Sequence, residues 1–425
     1  MNLPRKVCVI DGSRIPFSRS GGKYLGVSNQ EMMSAAMKGL VQKLNLQGKE
    51  LGEVSLGAVV KHSADFNLAR ESVLDAGLAF ETPAYDLQRA CGTSLEAAIN
   101  IANKIAMGQI DCGIAGGCDT NSEVPIEFSK SFSDRLMKMN YAKTTIDKLK
   151  AFVGMSPADL MPKIPGVKEP RTGMSMGQSC ELMAQEWKLT QQEQDELAYI
   201  SHQNAEKAYQ EQFYSDLIVP FKGLNKDNNV RADTSVEKLS KLKPAFDRKS
   251  GKGTLTAGNS TPLTDGAACV FLCSEEYAKK NGFKIKAYLT HGQAAAVNFV
   301  NNEGLLMAPA YAVPRMLHRA GLTLQDFDFY EIHEAFAAQV LCTLKAWESE
   351  DFCRNKLKLD KALGSIDRKK MNVKGGSLAL GHPFAATGAR IVSSLAKILD
   401  QNNGGRGLIS ICTAGGMGVT AIMEK

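Results

Sequence analysis

Apolar residues along this chain fall into short, nearly continuous runs that alternate with longer stretches of good helix formers. Runs of the first kind read as strands buried on both faces, and the alternation predicts α/β architecture with largely buried sheets. The chain enters its first apolar strand within a few residues, at VCVID. Further on, an extended lead-in, DLQRACGTS, gives way to a predicted helix from Leu95 to about Met107 and then to the strand IDCGIAGGCD. Near the C terminus the order returns: the Gly-rich turn GGSLALGHPF, a predicted helix from about Ala385, and the strand GLISICTAGGMG. Both units close on Ala-Gly-Gly, so two similar α/β halves are the economical reading.

Between the first Ala-Gly-Gly strand and TLTAGNSTPLTDGAACVFL the character changes. Residues 121–251 are rich in Lys, Gln, Asn, Met and Pro, and read as an inserted cap. This divides the chain into an N-terminal core domain, 1–120 continued by 252–282, the insertion at 121–251, and a C-terminal core domain at 283–425. Within the insertion EFSKSFSDRLMKM and TTIDKLKAFV are basic and amphipathic, which suits a membrane surface, a partner protein or a solvated lid over a ligand site. The lid is the favoured reading, and QQEQDELAYISHQNAEKAYQ reads as a plain surface helix.

A length of 425 residues predicts two or three domains. The ten cysteines are scattered through strand-like runs, which predicts free thiols in a reducing compartment. No Cys-x-x-Cys pair or nearby histidine completes a metal site, so no metal is expected. A net charge of +6 without Lys/Arg clustering argues against nucleic acid and fits a small anionic ligand. With the first strand so near the start and MEK at the end, neither a signal or transit segment nor a peroxisomal address is expected, and no apolar run is long enough to span a membrane. The expected location is cytoplasmic.

Candidate chemistry gathers at the turns. Cys91 stands between an extended lead-in and a helix start, where unpaired N–H groups and the helix dipole favour a thiolate. It is equally well read as a small buried packing residue. His333, in YEIHEAF, stands where an apolar strand stops and a helix starts; His382, in GHP, occupies in the second repeat the place Cys91 has in the first. Cys412 lies near the end of the last repeat strand. Two histidines and a cysteine at equivalent strand-to-helix turns form a candidate constellation. Two tempting patterns fail: Gly416-x-Gly418-x-x-Ala421 has no room for the helix a dinucleotide needs, and the proline-rich approach to Gly173-Met-Ser175-Met-Gly177 cannot be a central strand.

With RACGTS, TAGNSTPLTDGAA, HEAF, GGSLALGHPFAATGAR and CTAGGMG in this order, essentially the whole chain resembles the thiolases, acyl-CoA:acetyl-CoA C-acyltransferases. It looks closest to the thiolase (beta) subunit of the fatty-acid oxidation complex, because His333 replaces the asparagine of many NEAF motifs. The resemblance implies a thiolase fold: two similar core domains stacked as α-β-α-β-α layers, with a loop domain inserted in the first. It implies CoA-dependent thiolytic cleavage of 3-oxoacyl-CoA to acetyl-CoA and a shortened acyl-CoA in fatty-acid beta-oxidation, with a biosynthetic acetoacetyl-CoA thiolase as the alternative. A decarboxylating 3-oxoacyl synthase and a non-catalytic acyl-CoA-binding protein are weaker rivals.

Roles carried over from the resemblance make Cys91 the nucleophile that holds the acyl group, His382 its base and an oxyanion donor, and Cys412 the general acid/base. His333 becomes an oxyanion donor, and the N–H groups of Cys91 and Ala414 serve the second oxyanion. Ala414 replaces a glycine common in the family, which leaves its N–H in place. Arg231 matches a contact to the nucleotide end of CoA, Thr261 and Met176 match positions along the pantetheine channel, and Phe336 is a further CoA-binding candidate. Coenzyme A and acyl-CoA are substrates rather than prosthetic groups. The implied assembly is a homodimer or homotetramer, with a hydratase/dehydrogenase alpha subunit as a further partner.

Overall fold

In a computed structural model describing residues 4–163 and 165–425, the chain opens with β1 (Val7–Arg14), every residue of which is buried, and the short β2 (Ser18–Arg19). Helix α1 (Asn29–Lys43) starts at a Ser28–Glu31 capping box, which satisfies N–H groups the first turn would leave open. β3 (Glu53–Leu56), α2 (Leu68–Ala76), β4 (Ala84–Asp86), α3 (Thr93–Ala106) and β5 (Cys112–Asp119) follow. A long excursion then carries α4 (Lys130–Tyr141), α5 (Thr145–Lys150), α6 (Met176–Glu186), α7 (Gln191–Gln210) and α8 (Val236–Ser240). β6 (Thr264–Ser274) returns to the sheet and α9 (Glu275–Lys280) leads to the second half. That half comprises β7 (Ala287–Ala296), α10 (Ala308–Ala320), β8 (Phe329–Ile332), α11 (Ala337–Glu348), α12 (Glu350–Asn355), α13 (Ser377–Leu380), α14 (Thr387–Gln401), β9 (Arg406–Thr413) and β10 (Met417–Glu424).

The strands run in the order β4-β3-β5-β6-β1-β7-β10-β9-β8. β4, β3 and β5 are parallel, as are β8 and β9, whereas β6, β1, β7 and β10 pair antiparallel. Only the pairs Cys8↔Tyr288 and Val9↔Ala287 join β1 to β7, so each half keeps its own sheet. Alternation along the strands then sorts side chains between layers. Val270, Leu272, Ile409, Ile411, Val419 and Ala421, drawn from both halves, share one apolar cluster with α3 and α14. Their strand neighbours face outward, Ile114 and Phe271 onto α1 and Leu408 and Ile422 onto α10 and α11. The result is five layers, α-β-α-β-α, with α3 and α14 in the middle.

The first turns of α3 and α14 touch, and this contact positions the site. A Cβ on Gly388 would lie 2.3 Å from the Leu95 nitrogen, so only glycine permits the approach. The Ala389 N–H donates to Ser94 Oγ across the same gap at 2.8 Å. Asp119, at the end of β5, accepts from the N–H groups of Val59, Val60 and Ala385 and stitches the same edge.

The excursion behaves as two parts. Residues 126–163 pack chiefly on themselves, through α4, α5 and the bridge Glu127↔Lys163. No residue of α4 or α5 is buried, and Ile126, Phe128, Tyr141, Ile146, Leu149 and Val153 are exposed. The segment expected to be a plain surface helix, α7, is instead half buried. Asp195, Ser201, His202 and Ala205 face inward, and small and polar residues buried on one stripe do not register as an apolar face in the sequence.

Candidate active site

Four chain turns meet where α3 and α14 begin. Ala90 takes φ 43°, a left-handed conformation that costs a non-glycine residue about 1–2 kcal/mol. Thr93 Oγ1 braces that turn by accepting from Arg89 N at 2.9 Å and donating to the Ala90 carbonyl at 2.7 Å. Cys91 is thereby presented two residues ahead of α3. His333 follows the last residue of β8, its N–H donating to the Ser410 carbonyl at 2.8 Å. His382 follows Gly381, whose φ of 102° suits glycine, and its N–H donates to Thr264 Oγ1 at 2.7 Å. Cys412, 1% exposed, is the penultimate residue of β9.

Cys91 Sγ and one ring nitrogen each from His333 and His382 all lie within 4.8 Å of one another, and the two imidazole centroids are 4.1 Å apart. Each Nδ1 already meets a hydroxyl, Ser377 Oγ at 2.9 Å for His333 and Thr387 Oγ1 at 2.6 Å for His382. Both Nε2 atoms are buried without a protein partner, so they are the nitrogens left for chemistry. The backbone N–H groups of Ala414 and of Cys91 itself are near enough to the Cys91 sulfur to favour its thiolate.

Burial sets the protonation states. It pushes the Cys91 thiol up to about 12, against the opposing pull of those two N–H groups. The expectation of a lowered Cys91 pKa is therefore overturned: desolvation outweighs the helix start. The imidazole of His382 is pushed down to about 3 by burial and by the Arg390 cation. That of His333 is held well below its usual range by burial, His382 and Arg390. Burial, with the Cys91 sulfur close by, raises the Cys412 thiol well above its usual value. The resting site is neutral throughout, two thiols and two imidazoles.

The loop Thr254–Leu263 lies across the site. It pairs with the HEAF turn through Ser260↔Phe336 and Thr261 N to Ala335 O, and with the GHP turn through Leu263↔His382. On one side opens a cleft of about 650 Å³, lined by Val59, Ala90, Val124, Met176, Leu263, Phe384, Ala414 and Met417 among others. On the other, a cleft of about 330 Å³ carries Arg19, His202, Arg231, Lys238, Ser260 and Leu378. Met176 thus lies in the apolar cleft and Arg231 in the cationic one, with Thr261 on the loop between them. Phe336 is buried at the N-cap of α11 and packs edge-on against Phe246. Ser175 is the N-cap of α6 and a strand follows Gly416, so both patterns set aside in the sequence have ordinary structural roles.

Several contributors were not singled out in the sequence. Thr264 and Thr387 hold His382, Ser377 holds His333, and Glu169 from the excursion accepts from Gly415 N beside Ala414 at 2.6 Å. Thr264 and Thr387 do lie inside the quoted motifs, whereas nothing in the sequence around Glu169 points to the turn it caps.

Paired thiols and paired imidazoles at the seam of two similar α/β halves define an acyltransferase. Comparison places it further: residues 7–276 match the thiolase N-terminal domain and residues 283–425 the thiolase C-terminal domain, and the chain belongs to the thiolase family. It is 42% identical to a 3-ketoacyl-CoA thiolase of Pectobacterium atrosepticum, over 99% of this chain and 96% of that one. With a 3-ketoacyl-CoA thiolase of Vibrio cholerae it shares 41% identity, over 99% and 97%. The crystal structure of the Bacillus anthracis acetyl-CoA acetyltransferase superposes with a TM-score of 0.82 at 30% identity, covering 100% of both chains. No helix among the described residues is long and apolar enough to cross a membrane.

Proposed function

We propose that this protein is a 3-ketoacyl-CoA thiolase, cleaving 3-oxoacyl-CoA with CoA in fatty-acid beta-oxidation. The observation that carries the reading is the Cys91–His333–His382 cluster, with the Ala414 N–H and the Cys412 thiol both near enough to shift or be shifted by the Cys91 sulfur. Because Cys91 rests as a thiol and His382 as a neutral imidazole, proton transfer accompanies attack rather than preceding it. The Cys91 sulfur bonds to C3 of the substrate as His382 Nε2 takes its proton, and the carbonyl oxygen becomes an oxyanion. That oxyanion is met by the N–H groups of Cys91 and Ala414. The C2–C3 bond then breaks, leaving the acyl group on Cys91 and an acetyl-CoA enolate that takes a proton from Cys412. Its thioester oxygen is met by His333 and by the now protonated His382.

In the second half Cys412, a thiolate at a buried position and hence strongly basic, removes the proton of incoming CoA. The CoA sulfur bonds to the acyl carbon, the Cys91 sulfur leaves, and His382 returns its proton. A thiol raised by burial serves both directions, as an acid that holds its proton until the enolate forms and as a base afterwards. Arg19, Arg231 and Lys238 suit the phosphates of CoA, with Thr261 and Met176 along the path inward. The apolar cleft beside Ala90 and Ala414 suits the acyl chain.

The proposal extends to a cytoplasmic homodimer or dimer of dimers, and to a hydratase/dehydrogenase subunit docked on the exposed apolar residues of 126–163. The deciding experiment is a thiolysis assay across 3-oxoacyl-CoA chain lengths. CoA-dependent loss of substrate with equimolar acetyl-CoA is expected, and neither should occur with Cys91→Ala. Condensation that requires a malonyl donor would instead indicate a decarboxylating synthase.

A further inference from the structure

His333 contributes to the proposed reaction only if it carries its proton on the nitrogen that faces the substrate. A neutral imidazole has one N–H and one lone pair, and the hydrogen bond made by the far nitrogen decides which faces inward. Behind His333 that far partner is the Ser377 hydroxyl, 2.9 Å from Nδ1. Ser377 begins α13 and is fully buried, and its oxygen accepts from Arg390 Nη2 at 2.8 Å. A guanidinium has donors and no acceptor. Ser377 therefore accepts from Arg390, and the partner left for its single proton is the lone pair of His333 Nδ1.

The surroundings keep the three groups in place. Arg390 comes from α14 and is 2% exposed, its Nη1 lying 3.8 Å from Glu331 two residues before His333. Glu334, the residue after His333, accepts from Ser201 Oγ, Asn372 Nδ2 and the Leu378 N–H, which ties the start of α13 to the HEAF turn. A Cβ on Gly376 would lie 2.1 Å from the Glu334 carboxylate, so the residue before Ser377 has room only for glycine. The reverse arrangement, with His333 donating from Nδ1, would leave the Ser377 O–H buried without an acceptor, and would point two ring lone pairs at the cavity.

We propose that Arg390 and Ser377 are positioning residues that lock His333 as the neutral Nε2–H tautomer, making it an obligate hydrogen-bond donor rather than a proton carrier. The base role of His382 in the proposed reaction needs a lone pair on Nε2 and hence a proton on Nδ1, the nitrogen that faces Thr387 Oγ1 at 2.6 Å. The two rings lie 4.1 Å apart, and the base role asks of His382 the tautomer opposite to that of His333. The His333 assignment rests on the thiolase reading for its catalytic meaning but not for its geometry.

The test is 15N NMR of the full-length enzyme labelled at histidine, with His333→Asn identifying the His333 signals by their loss. The wild type should show a protonated Nε2 and an unprotonated Nδ1 at His333, and Ser377→Ala should shift or mix that pattern. In thiolysis, Ser377→Ala should lower kcat by roughly tenfold to a hundredfold, the scale of one weakened oxyanion donor, with little change in KM. Ser377→Thr, which keeps the hydroxyl, should retain most of the activity. In a His333→Asn background, which has no tautomer to set, Ser377→Ala should cost less than about threefold, a non-additive pair.

Additive losses, or a His333 pattern unchanged by Ser377→Ala, would overturn the proposal. If that variant does not fold, the wild-type spectrum decides alone: protonation at Nδ1 or at both nitrogens refutes the assignment. Absence of thiolysis in the wild type with the Nε2–H tautomer intact would sink the functional reading and leave this one standing.

Discussion

At the scale of single residues, burial governs the chemistry more than position in the chain does. Cys91 is at a helix start, yet its thiol is pushed up to about 12 while His382 is pushed down to about 3, so no thiolate–imidazolium pair rests in the free enzyme. Alkylation of Cys91 by iodoacetamide, followed by peptide mapping, should therefore accelerate continuously from pH 6 to pH 10. A plateau below pH 8 would reveal a resident ion pair and contradict these protonation states. The two cysteines also separate by role. Cys412→Ala should still take an acetyl group from acetyl-CoA onto Cys91, seen as a mass increase on that peptide. Turnover should fall by about a hundredfold to ten-thousandfold, the range for losing a general acid/base. Near-normal thiolysis by Cys412→Ala, or an adduct on another residue, would defeat the mechanism.

At the scale of elements, the repeat of turn, helix and strand was legible because it is written in apolar runs and glycines. So was the cluster itself, since Cys91, His333 and His382 each stand at a turn between an extended segment and a helix. What holds them was not. Ser377, Arg390 and Asp119 act through approaches between segments distant in sequence, and a buried polar residue leaves no periodic trace. Nor did the sequence reveal how closely the walls of the site enclose the partly exposed Cys91, which reversed its expected pKa. Asp119 illustrates both points: it is 266 positions from Ala385, whose N–H it accepts, and burial raises its carboxyl to about 7. Asp119→Asn would set an amide N–H₂ against backbone donors, costing about 1–3 kcal/mol of stability and loosening the turn that carries His382. It would also remove a charge that raises the Cys91 pKa. At pH 8, Cys91 alkylation should quicken while turnover falls. A parallel fall in both would show that only folding had been damaged.

At the scale of the molecule, these buried groups predict a stability optimum near pH 6.5. Stability rises with pH wherever the unfolded chain binds more protons than the native one. His382 and His202, held down to about 3 and 4, and His333, held well below its usual range, meet that condition up to the usual value of 6.5, so these three groups lower stability as pH drops below it. Asp119 and Glu331 are the reverse case, raised to about 7 and about 8, so the native state keeps protons that the unfolded chain has released. The two carboxyls offset only part of the effect of the three histidines below pH 6.5 and act unopposed from there to about pH 8. Above pH 9 the raised Cys91 thiol adds a further loss in the same direction. Urea midpoints measured from pH 5 to pH 10 should peak near 6.5 and decline steadily on the alkaline side. Asp119→Asn supplies the control, because its curve should sit lower but flatter between pH 6.5 and 8. An alkaline limb equally steep in that variant, or a wild-type midpoint that climbs from pH 7 to pH 9, would show that these groups do not carry the pH dependence.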